Sequence, residues 1–239
     1  MQLCIDAGNT HIKYAIFKKR RMVHKTISDT FDLTILRGLL DTYLPKRAII
    51  SSVRPLPKQW TKHLQKVVPT TILSYKTPLL LKLDYKTPET LGSDRIAAAV
   101  GAWHHFKSQN MLIVNAGTCV TFDIVTEKGV YKGGAIAPGI EIRYKALHHF
   151  TAKLPFVTQR APVRITGKST AESINAGVLN HLCFEVEGAI LFYAKHFKNL
   201  KVALTGGSSS FLAKRLKSSI FAAPDLVLNG LNEILLYNA

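Results

Sequence analysis

The sequence predicts an α/β fold made of two homologous halves, and a near-repeat carries most of that prediction. Residues 3–17 and residues 112–125 each read as an apolar strand, an Asp/Asn-Ala-Gly-Asn/Thr turn and an alternating strand. The second copy begins close to the midpoint of the 239-residue chain. Strands mixed with helices follow both copies, at spacings that favour α/β layers over a sandwich or a helical bundle. We therefore expect domains at 1–110 and 111–239, packed closely around a shared cleft.

The first half continues with four elements after its opening hairpin. Residue periodicity predicts a third strand at about 21–27 and a helix at 33–44. A buried strand is expected at 47–53 and a further helix at 56–67. The run Lys18-Lys19-Arg20-Arg21 falls between two strands, so we expect a solvated hairpin turn there.

The second half follows a similar pattern. A strand is expected at 130–137, and a helix from about Gly139 onwards. A long helical stretch is expected at 169–196, and a strand at 201–204 leads into a glycine-rich turn and another helix. Both halves therefore alternate strands with helices.

The composition is that of an ordinary globular protein, with 47% hydrophobic and 20% charged residues. No apolar run approaches the roughly 18–20 residues that a membrane span needs, and polar residues interrupt any secretory signal near the N-terminus. The cysteines are odd in number and have apolar neighbours, which favours reduced thiols: Cys4, Cys119 and Cys183. We expect a cytoplasmic protein without membrane attachment.

Charge is the unusual feature, because Lys plus Arg number 32 against 15 for Asp plus Glu, a formal net charge of +17. Such an excess is compatible with binding to nucleic acid, with binding to an acidic substrate, or with a role in solubility alone. Apart from the run at 18–21, the basic residues are spread along the chain, and the sequence has neither zinc-finger spacing nor the aromatic and basic interleaving of RNA-binding modules. We therefore expect only non-specific, salt-sensitive association with DNA and no sequence-specific nucleic-acid partner.

The turn from Asp6 to Lys13 has the residues of a phosphate-binding loop. Gly8 permits close backbone approach, the side chains after it add hydrogen-bond donors, and amides exposed in such a turn attract anions. Asp6, at the end of a buried strand, is suited to Mg²⁺, and Lys13 to phosphate charge. An ordinary hairpin turn is the alternative. The second copy at 115–118 favours the phosphate interpretation, because two such turns can clamp one nucleotide.

Asp94 is a second carboxylate of interest, since it precedes a run of small residues at 96–102. The helix dipole and the adjacent Arg95 favour its ionised form. Asp94 is either the N-cap of that helix or a functional carboxylate held rigidly by close helix packing. Asp123 also lies near a glycine turn.

Three further motifs contain glycine. The segment 133–140 reads as a strand and turn with a structural role. The segment 167–173 predicts a helix N-cap with a cluster of hydroxyls, and its likeness to a P-loop is weak. The segment 205–208 follows a buried strand and opens a helix, which suits a nucleotide base or phosphate.

Taken in order, these motifs resemble those of the type III pantothenate kinases. They are Asp-x-Gly-Asn-Thr-x-x-Lys, Gly-x-Asp-Arg, Gly-Thr-x-x-Thr-x-Asp, Gly-Gly-x-Ile-x-Pro-Gly, Gly-Lys-Ser-Thr and Thr-Gly-Gly, spread from residue 6 to residue 207. The resemblance implies the fold of the acetate and sugar kinase, Hsc70 and actin superfamily, with two RNase H-like halves around a nucleotide cleft. It also implies a homodimer that uses ATP to convert pantothenate into 4′-phosphopantothenate, the first step of coenzyme A synthesis.

The resemblance also implies roles residue by residue. Asp94 would be the general base that takes the proton from the pantothenate hydroxyl. Thr118 would contact ATP, and Thr170 would contact pantothenate within one subunit or from its neighbour. The pantothenate site would further include Tyr85, Gly92, Ser93, Asp94 and Arg95. The phosphate-binding turn, with Asp6 serving Mg²⁺, would be Asp6, Ala7, Gly8, Asn9, Thr10, His11, Ile12 and Lys13.

One position departs from the family pattern. The family usually has Asp at the first position of the second turn, where it binds a monovalent cation, and here that residue is Asn115. A neutral amide oxygen would hold K⁺ or NH₄⁺ less tightly than a carboxylate, so we expect weaker dependence on these ions. The alternative is that Asn115 only caps the turn.

Two other functions stay open on the sequence alone. Some relatives in the family were named as accessory factors for transcription, so a non-enzymatic regulator is the first alternative. Another small-molecule kinase of the superfamily is the second. The presence of Asp6, Asp94, Arg95 and Asp123 favours an enzyme, because a pure binding module does not need them.

Overall fold

The computed structural model describes residues 1–157 and 164–239. Contacts between residues divide the chain into two compact units. The expected domain boundary between residues 110 and 111 stays a prediction. Within the described residues, no helix is both long and apolar enough to span a bilayer. Unit 1 consists of Met1–Gln109, Ile124–Gly133 and Asp225–Ala239, and unit 2 consists of Asn110–Asp123 and Gly134–Pro224.

The first sheet lies in unit 1 and has five strands. These are β1 (Gln2–Ala7), β2 (Ile12–Lys18), β3 (Arg21–Ser28), β4 (Arg47–Ser52) and β5 (Thr70–Ile72). Their order is β3-β2-β1-β4-β5. The hairpin strands pair antiparallel, whereas β1 pairs with β4, and β4 with β5, in parallel. The carboxyl ends of β1 and β4 therefore lie side by side.

One face of this sheet packs on α1 (Leu33–Tyr43) and α2 (Lys58–Val67). Asp32 caps α1, because its carboxylate accepts hydrogen bonds from the backbone N–H groups of the first turn. The second helix begins at Lys58 rather than at residue 56. Pro57 occupies its N-cap position, and a proline disfavours helical backbone at the residue before it, which is residue 56.

Alternation along the strands separates apolar from polar side chains. Ile5 and Tyr14 are fully buried in the core with Trp60 of α2. Neighbouring positions of a strand point to opposite faces of a sheet. Asp6 and Lys13 therefore project from the face that α1 and α2 leave free.

That opposite face packs on α3 (Ser93–His105) and α8 (Leu226–Tyr237), which also pack on each other. The two helices approach so closely that a methyl group on Gly230 would lie 1.8 Å from the carbonyl oxygen of Ala97. The close helix packing expected behind Asp94 is therefore confirmed.

The second sheet has six strands: β6 (Lys82–Leu83), β7 (Met111–Ala116), β8 (Cys119–Val125), β9 (Val130–Pro138), β10 (Lys201–Thr205) and β11 (Phe221–Ala222). Their order is β11-β10-β7-β8-β9-β6. The series β9-β8-β7-β10-β11 repeats the order β3-β2-β1-β4-β5 of the first sheet. The predicted α/β fold is confirmed, and the repeat in sequence is matched by a repeat in strand order.

The remaining α-helices of the described residues belong to unit 2. They are α4 (Ile140–His149), α5 (Thr170–Asn175), α6 (His181–His196) and α7 (Ser209–Ala213). A π-helical segment at Ala176–Asn180 interrupts the long helix expected at 169–196. Gly177 lies within that segment, and glycine is a poor former of regular helix. The expected cap is confirmed, since Ser169 accepts a hydrogen bond from the backbone N–H of Glu172.

The basic run between β2 and β3 is not simply solvated. Arg20 forms an ion pair with Glu233 of α8 through two hydrogen bonds of 2.8 and 3.1 Å. Asn232 Nδ2 donates to the carbonyl oxygen of Lys19 at 2.9 Å. Glu233 is buried, and a buried carboxylate needs a charged or hydrogen-bonding partner. The expected solvated hairpin turn is confirmed, since residues 18–21 are exposed and the Arg20 side chain is 65% exposed, and its pair with Glu233 is an additional contact.

Candidate active site

Asp6 is the central carboxylate of the candidate site in unit 1. It lies on β1 between Lys13 of β2 and Ser51 of β4, and only 7% of it is exposed. Burial raises the pKa of Asp6 to about 6, the charge of Lys13 opposes that shift, and the charge of Asp94 adds to it. Asp6, Lys13 and Asp94 therefore interact electrostatically on one face of the first sheet.

The N-terminus of α3 brings Asp94 into this group. Gly92 occupies the N-cap position, and Asp94 lies in the first helical turn. The alternative interpretation of Asp94 as an N-cap is therefore wrong, because the chain enters the helix two residues earlier. A methyl group on Gly92 would lie 2.6 Å from Asp94 Oδ1. Gly92 thus leaves the space that the carboxylate of Asp94 occupies.

Ser93 links the start of α3 to the end of β4 through hydrogen bonds. Its Oγ lies 2.9 Å from Ser51 Oγ and accepts a hydrogen bond from the backbone N–H of Ser52 at 3.0 Å. Ser51 and Ser93 are both buried, and buried polar groups in native proteins are almost always paired. The hydroxyl of Ser93 therefore fixes the position of Asp94. Its expected contact with pantothenate stays a prediction.

Sequence reasoning missed Ser51. The available signal was a pair of serines at the carboxyl end of the buried strand expected at 47–53. In α/β sheets, ligands bind outside the carboxyl ends of the strands, so polar residues there deserve inspection.

Tyr85 and Arg95 are further expected members of the pantothenate site. Arg95 is buried, and Tyr85 is half-buried. The ring of Tyr85 lies over Gly133, where a methyl group would be 3.2 Å from two ring carbons. Gly133 also has a φ of +86°, which few other residues adopt. The glycine motif after residue 132 therefore supports the ring of Tyr85.

The turn between β1 and β2 is closed by a 3.0 Å hydrogen bond from Gly8 N to His11 O. The side chains of Ala7 and Ile12 are fully buried in the core, so only their backbones could face a phosphate. His11 Nδ1 lies 2.7 Å from Asp29 Oδ1. The phosphate-binding role of this turn stays a prediction. Its exposed members are Asn9, Thr10 and His11.

The corresponding turn of unit 2 follows β7 and is held by backbone contacts. Gly139 N donates to Thr118 O at 3.0 Å, and Ser208 N donates to Ala116 O at 2.9 Å. A methyl group on Gly139 would lie 2.4 Å from Thr118 O, and one on Gly206 would lie 2.5 Å from Ala116 O. Three glycine-containing turns therefore meet in unit 2. The sequence predicts each turn separately but not their contact.

The other expected ligand residues of unit 2 are spread over it. Asn115 is half-buried on β7 and pairs in register with Thr205 of β10. Thr170 is the exposed first residue of α5. Asp123 is buried and accepts a 3.0 Å hydrogen bond from Thr121 Oγ1. The ligand roles of Asn115 and Thr170 stay predictions.

The donor groups near Asp6 fit a magnesium ion that arrives with a nucleotide. Among the described residues, no three or more His, Cys, Asp or Glu side chains form a cluster that could hold a metal by itself. Mg²⁺ in phosphoryl-transfer enzymes is held by one or two carboxylates together with substrate phosphates. The buried carboxylate of Asp6, with Asp94 near it, matches that ligand set.

The chain has the sugar-kinase fold. A ROK hexokinase from Thermus thermophilus matches with a TM-score of 0.54 at 14% identity, over 99% of both chains. A conserved protein from Campylobacter jejuni, assigned provisionally to the Baf family of transcriptional activators, matches with a TM-score of 0.65 at 21% identity. That match covers 99% of this chain and 98% of the other. At such identities the likeness establishes the fold alone.

Sequence similarity identifies the family within that fold. The family model described as type III pantothenate kinase matches residues 2–191. A relative from Cytophaga hutchinsonii is 44% identical over 239 residues, which is all of both chains. One from Christiangramia forsetii is 41% identical over 240 residues, or 100% of this chain and 99% of the other. Both are named type III pantothenate kinase. This chain belongs to the type III pantothenate kinase family, as its motifs predicted.

Proposed function

We propose that this protein transfers a phosphoryl group from ATP to the hydroxyl of pantothenate, with Asp94 as the general base. The product is 4′-phosphopantothenate, and the reaction opens coenzyme A synthesis. The observation that carries the mechanism is geometric: Asp6 pairs in register with Lys13 and with Ser51, and Ser51 is hydrogen-bonded to Ser93, the residue before Asp94. Phosphoryl transfer depends mainly on positioning and charge neutralisation, which such a group can supply.

Asp94 accepts the proton of the pantothenate hydroxyl as its oxygen bonds to the γ-phosphorus of ATP, while the bond from that phosphorus to the bridging oxygen breaks and ADP leaves. A strong base is not needed, because the transition state of phosphoryl transfer is loose. The direction of the carboxylate matters more, and two contacts support it. Ser93 ties the helix to β4, and Gly92 leaves room for the carboxylate. Tyr85, Arg95 and Thr170 complete the pantothenate site in this proposal.

Lys13 and the backbone amides around Gly8 bind the phosphates of ATP, and Thr118 contributes a further contact. When bound, Mg²⁺ would neutralise negative charge on the phosphates. Asp6 would hold it directly or through water, since Asp6 is largely ionised above its pKa of about 6. Asn115 offers a monovalent cation only a neutral oxygen, so K⁺ or NH₄⁺ binds weakly in this proposal.

Release of ADP by the purified protein tests the function. With ATP and Mg²⁺, we expect rapid release only when pantothenate is added, together with a product heavier by one phosphoryl group. A pantothenate analogue that lacks the accepting hydroxyl is the matched control and should give no stimulation. Equal stimulation by the analogue, or phosphorylation of a hexose in preference to pantothenate, would contradict the proposal.

We also infer a homodimer, supported by an exposed apolar face on α6. Phe184, Leu191 and Phe192 recur at helical spacing on this helix, and each is 60% exposed. Apolar side chains grouped in this way mark interaction surfaces. The variant Phe184→Glu should be monomeric by light scattering. Ile72→Glu, at an exposed position of unit 1, should remain dimeric. A monomeric wild type would contradict the inference.

We further infer a cytoplasmic location. All three cysteines are free, and Cys4 and Cys183 are buried. Free thiols are typical of reducing compartments, whereas oxidising compartments favour disulfides. The substrates ATP and pantothenate fit the same location.

A further inference from the structure

Positive charge is concentrated in one stretch of unit 1 that contains no acidic residue. Between Asp41 and Asp84 the sequence has no Asp or Glu, although acidic residues number 15 in the whole chain. The same stretch contains eight basic residues, which are Lys46, Arg47, Arg54, Lys58, Lys62, Lys66, Lys76 and Lys82. The excess charge of the chain is therefore uneven, and this stretch forms β4, α2, β5 and β6.

Three of these lysines form a stripe along α2. Lys58, Lys62 and Lys66 are four residues apart, so they lie on one side of the helix, and all three are exposed. The described residues place no carboxylate within ion-pair distance of any of the three. We call Lys58, Lys62 and Lys66 the α2 lysine stripe.

Two features of the stripe are unfavourable for α2, although the helix dipole favours Lys66 in the last turn. Like charges four residues apart repel each other on a helix. Lys58 also occupies the first helical residue, where the helix dipole disfavours a positive charge, and the first turn has no acidic residue. Sequences that break local rules without a gain in packing commonly do so at functional positions. An anion bound along the stripe would relieve each of these repulsions.

The apolar residues of α2 limit what that anion can be. Trp60 and Leu64 are buried in the core of unit 1, and the exposed Val67 projects about 100° or more away from each lysine around the helix, so the lysine side of α2 has no apolar residue to insert into a lipid layer. Trp60 is the sole Phe, Tyr or Trp of the helix and is buried, and the ring of His63 is half-buried, so the stripe offers no fully exposed ring for stacking on single-stranded bases. A regular row of ammonium groups suits a regular, dense array of phosphates, and duplex DNA carries one charge per about 1.7 Å of its axis.

We propose that the α2 lysine stripe is a docking surface for the phosphate backbone of duplex DNA, without sequence selectivity. Lysine ammonium groups supply charge and donors to phosphate oxygens but no fixed geometry that reads base edges. This surface is independent of the proposed kinase reaction, because none of its residues belongs to the candidate active site.

Fluorescence anisotropy with a short labelled DNA duplex tests the proposal, in a salt series from about 50 to about 200 mM. The test variant changes Lys58, Lys62 and Lys66 to Gln. The matched control changes Lys18, Lys19 and Arg21 to Gln, which removes the same charge from another exposed segment and leaves the Arg20 ion pair intact. Thermal unfolding of each preparation, with a Tm close to that of the wild type, shows that both variants are folded.

The stripe variant should lower the slope of log affinity against log salt by about 2 to 3, because each phosphate contact contributes about 0.9. The control should change that slope by less than about 1. Equal losses in the two variants would overturn the proposal, since binding would then follow net charge alone. Tighter binding to an RNA duplex, to poly-glutamate or to anionic vesicles than to DNA would also overturn it and identify another partner.

Discussion

The turn after β1 and the turn after β7 have related sequences but different supports. In unit 1, the turn follows a buried carboxylate, Asp6, whose charge is opposed by Asp94 and favoured by Lys13. In unit 2, the turn follows a neutral amide, Asn115, and neighbouring glycines hold it through backbone contacts. The first turn is thus organised by charge and the second by shape.

This difference indicates that the two copies of a duplicated motif can have different roles, one in binding charge and the other in fixing backbone geometry. Burying a charge is unfavourable, so the ionised carboxylate of Asp6 lowers the free energy of unfolding. The same carboxylate provides a position that can bind a ligand. Backbone contacts at glycine carry no such charge penalty and fix geometry instead. We therefore expect the turn after β1 to be sensitive to changes in charge. We expect the turn after β7 to be sensitive to increases in side-chain volume.

The largest effect on stability is expected at Gly206. Its φ is +93°, and a methyl group would lie 2.5 Å from Ala116 O, so Gly206→Ala strains the backbone and displaces the turn. We expect a loss of about 3 kcal/mol or more in the free energy of unfolding, which lowers Tm by about 10 °C. Gly207→Ala is the matched control, because a methyl group there meets nothing within 4 Å. Thermal unfolding of the two variants measures this difference. Equal Tm values would refute the close contact between Gly206 and the carbonyl oxygen of Ala116.

At Asp6, removing the charge should stabilise the protein. Its pKa is about 6 in the folded state against 3.8 as the ordinary value. Folding therefore favours the protonated carboxyl, and this contribution is lost as pH rises from about 4 through 6. In EDTA above pH 7, Asp6→Asn should be more stable than wild type by up to about 3 kcal/mol.

The difference between wild type and Asp6→Asn should shrink as pH falls and vanish below the ordinary pKa of 3.8, where the carboxyl is neutral in both the folded and the unfolded chain. Urea denaturation at several pH values measures it. A constant difference across the whole pH range would show that the pKa of Asp6 is not raised. The same variant should lose most kinase activity, which would link the stability cost to function.

The smallest effect is expected for monovalent cations. Asn115 provides a dipole where the family usually has a carboxylate, so wild-type activity should need a high potassium concentration or little potassium at all. Asn115→Asp should lower the half-activating concentration severalfold, because affinity for hard cations rises with ligand charge. Initial rates in a potassium titration, with Tris as the only other cation, test this. Tight potassium activation of the wild type that the substitution leaves unchanged would rule out a role for Asn115.

Local features of the fold were predictable from the sequence because they depend on local periodicity. The hairpin strands, the helix that starts at Leu33 and the cap at Ser169 all follow from residues within one or two turns of each other. The carboxylates Asp6 and Asp94 were identifiable because acidic residues are scarce and these stand at the start or end of an element.

Contacts between distant residues could not be predicted in this way. The Ser51–Ser93 pair joins residues 42 positions apart, and the Arg20–Glu233 ion pair spans 213 positions. The meeting of Gly139 and Gly206 with the turn after β7 is of the same kind. Such contacts depend on how strands and helices pack, which periodicity does not specify. The stretch without acidic residues is visible in the sequence. That three of its lysines are exposed on one side of α2 is known only from the structure.

The Asp94→Asn variant tests whether Asp94 is the general base of the proposed reaction. The amide keeps the size of the side chain but cannot accept the hydroxyl proton, so kcat should fall by about 10²–10⁴-fold at saturating ATP and pantothenate. ATP affinity and Tm should stay close to wild type. Asp41→Asn, at an exposed position of α1, is the control and should retain full activity. An Asp94→Asn enzyme that keeps more than half of the wild-type rate would show that Asp94 is not the general base.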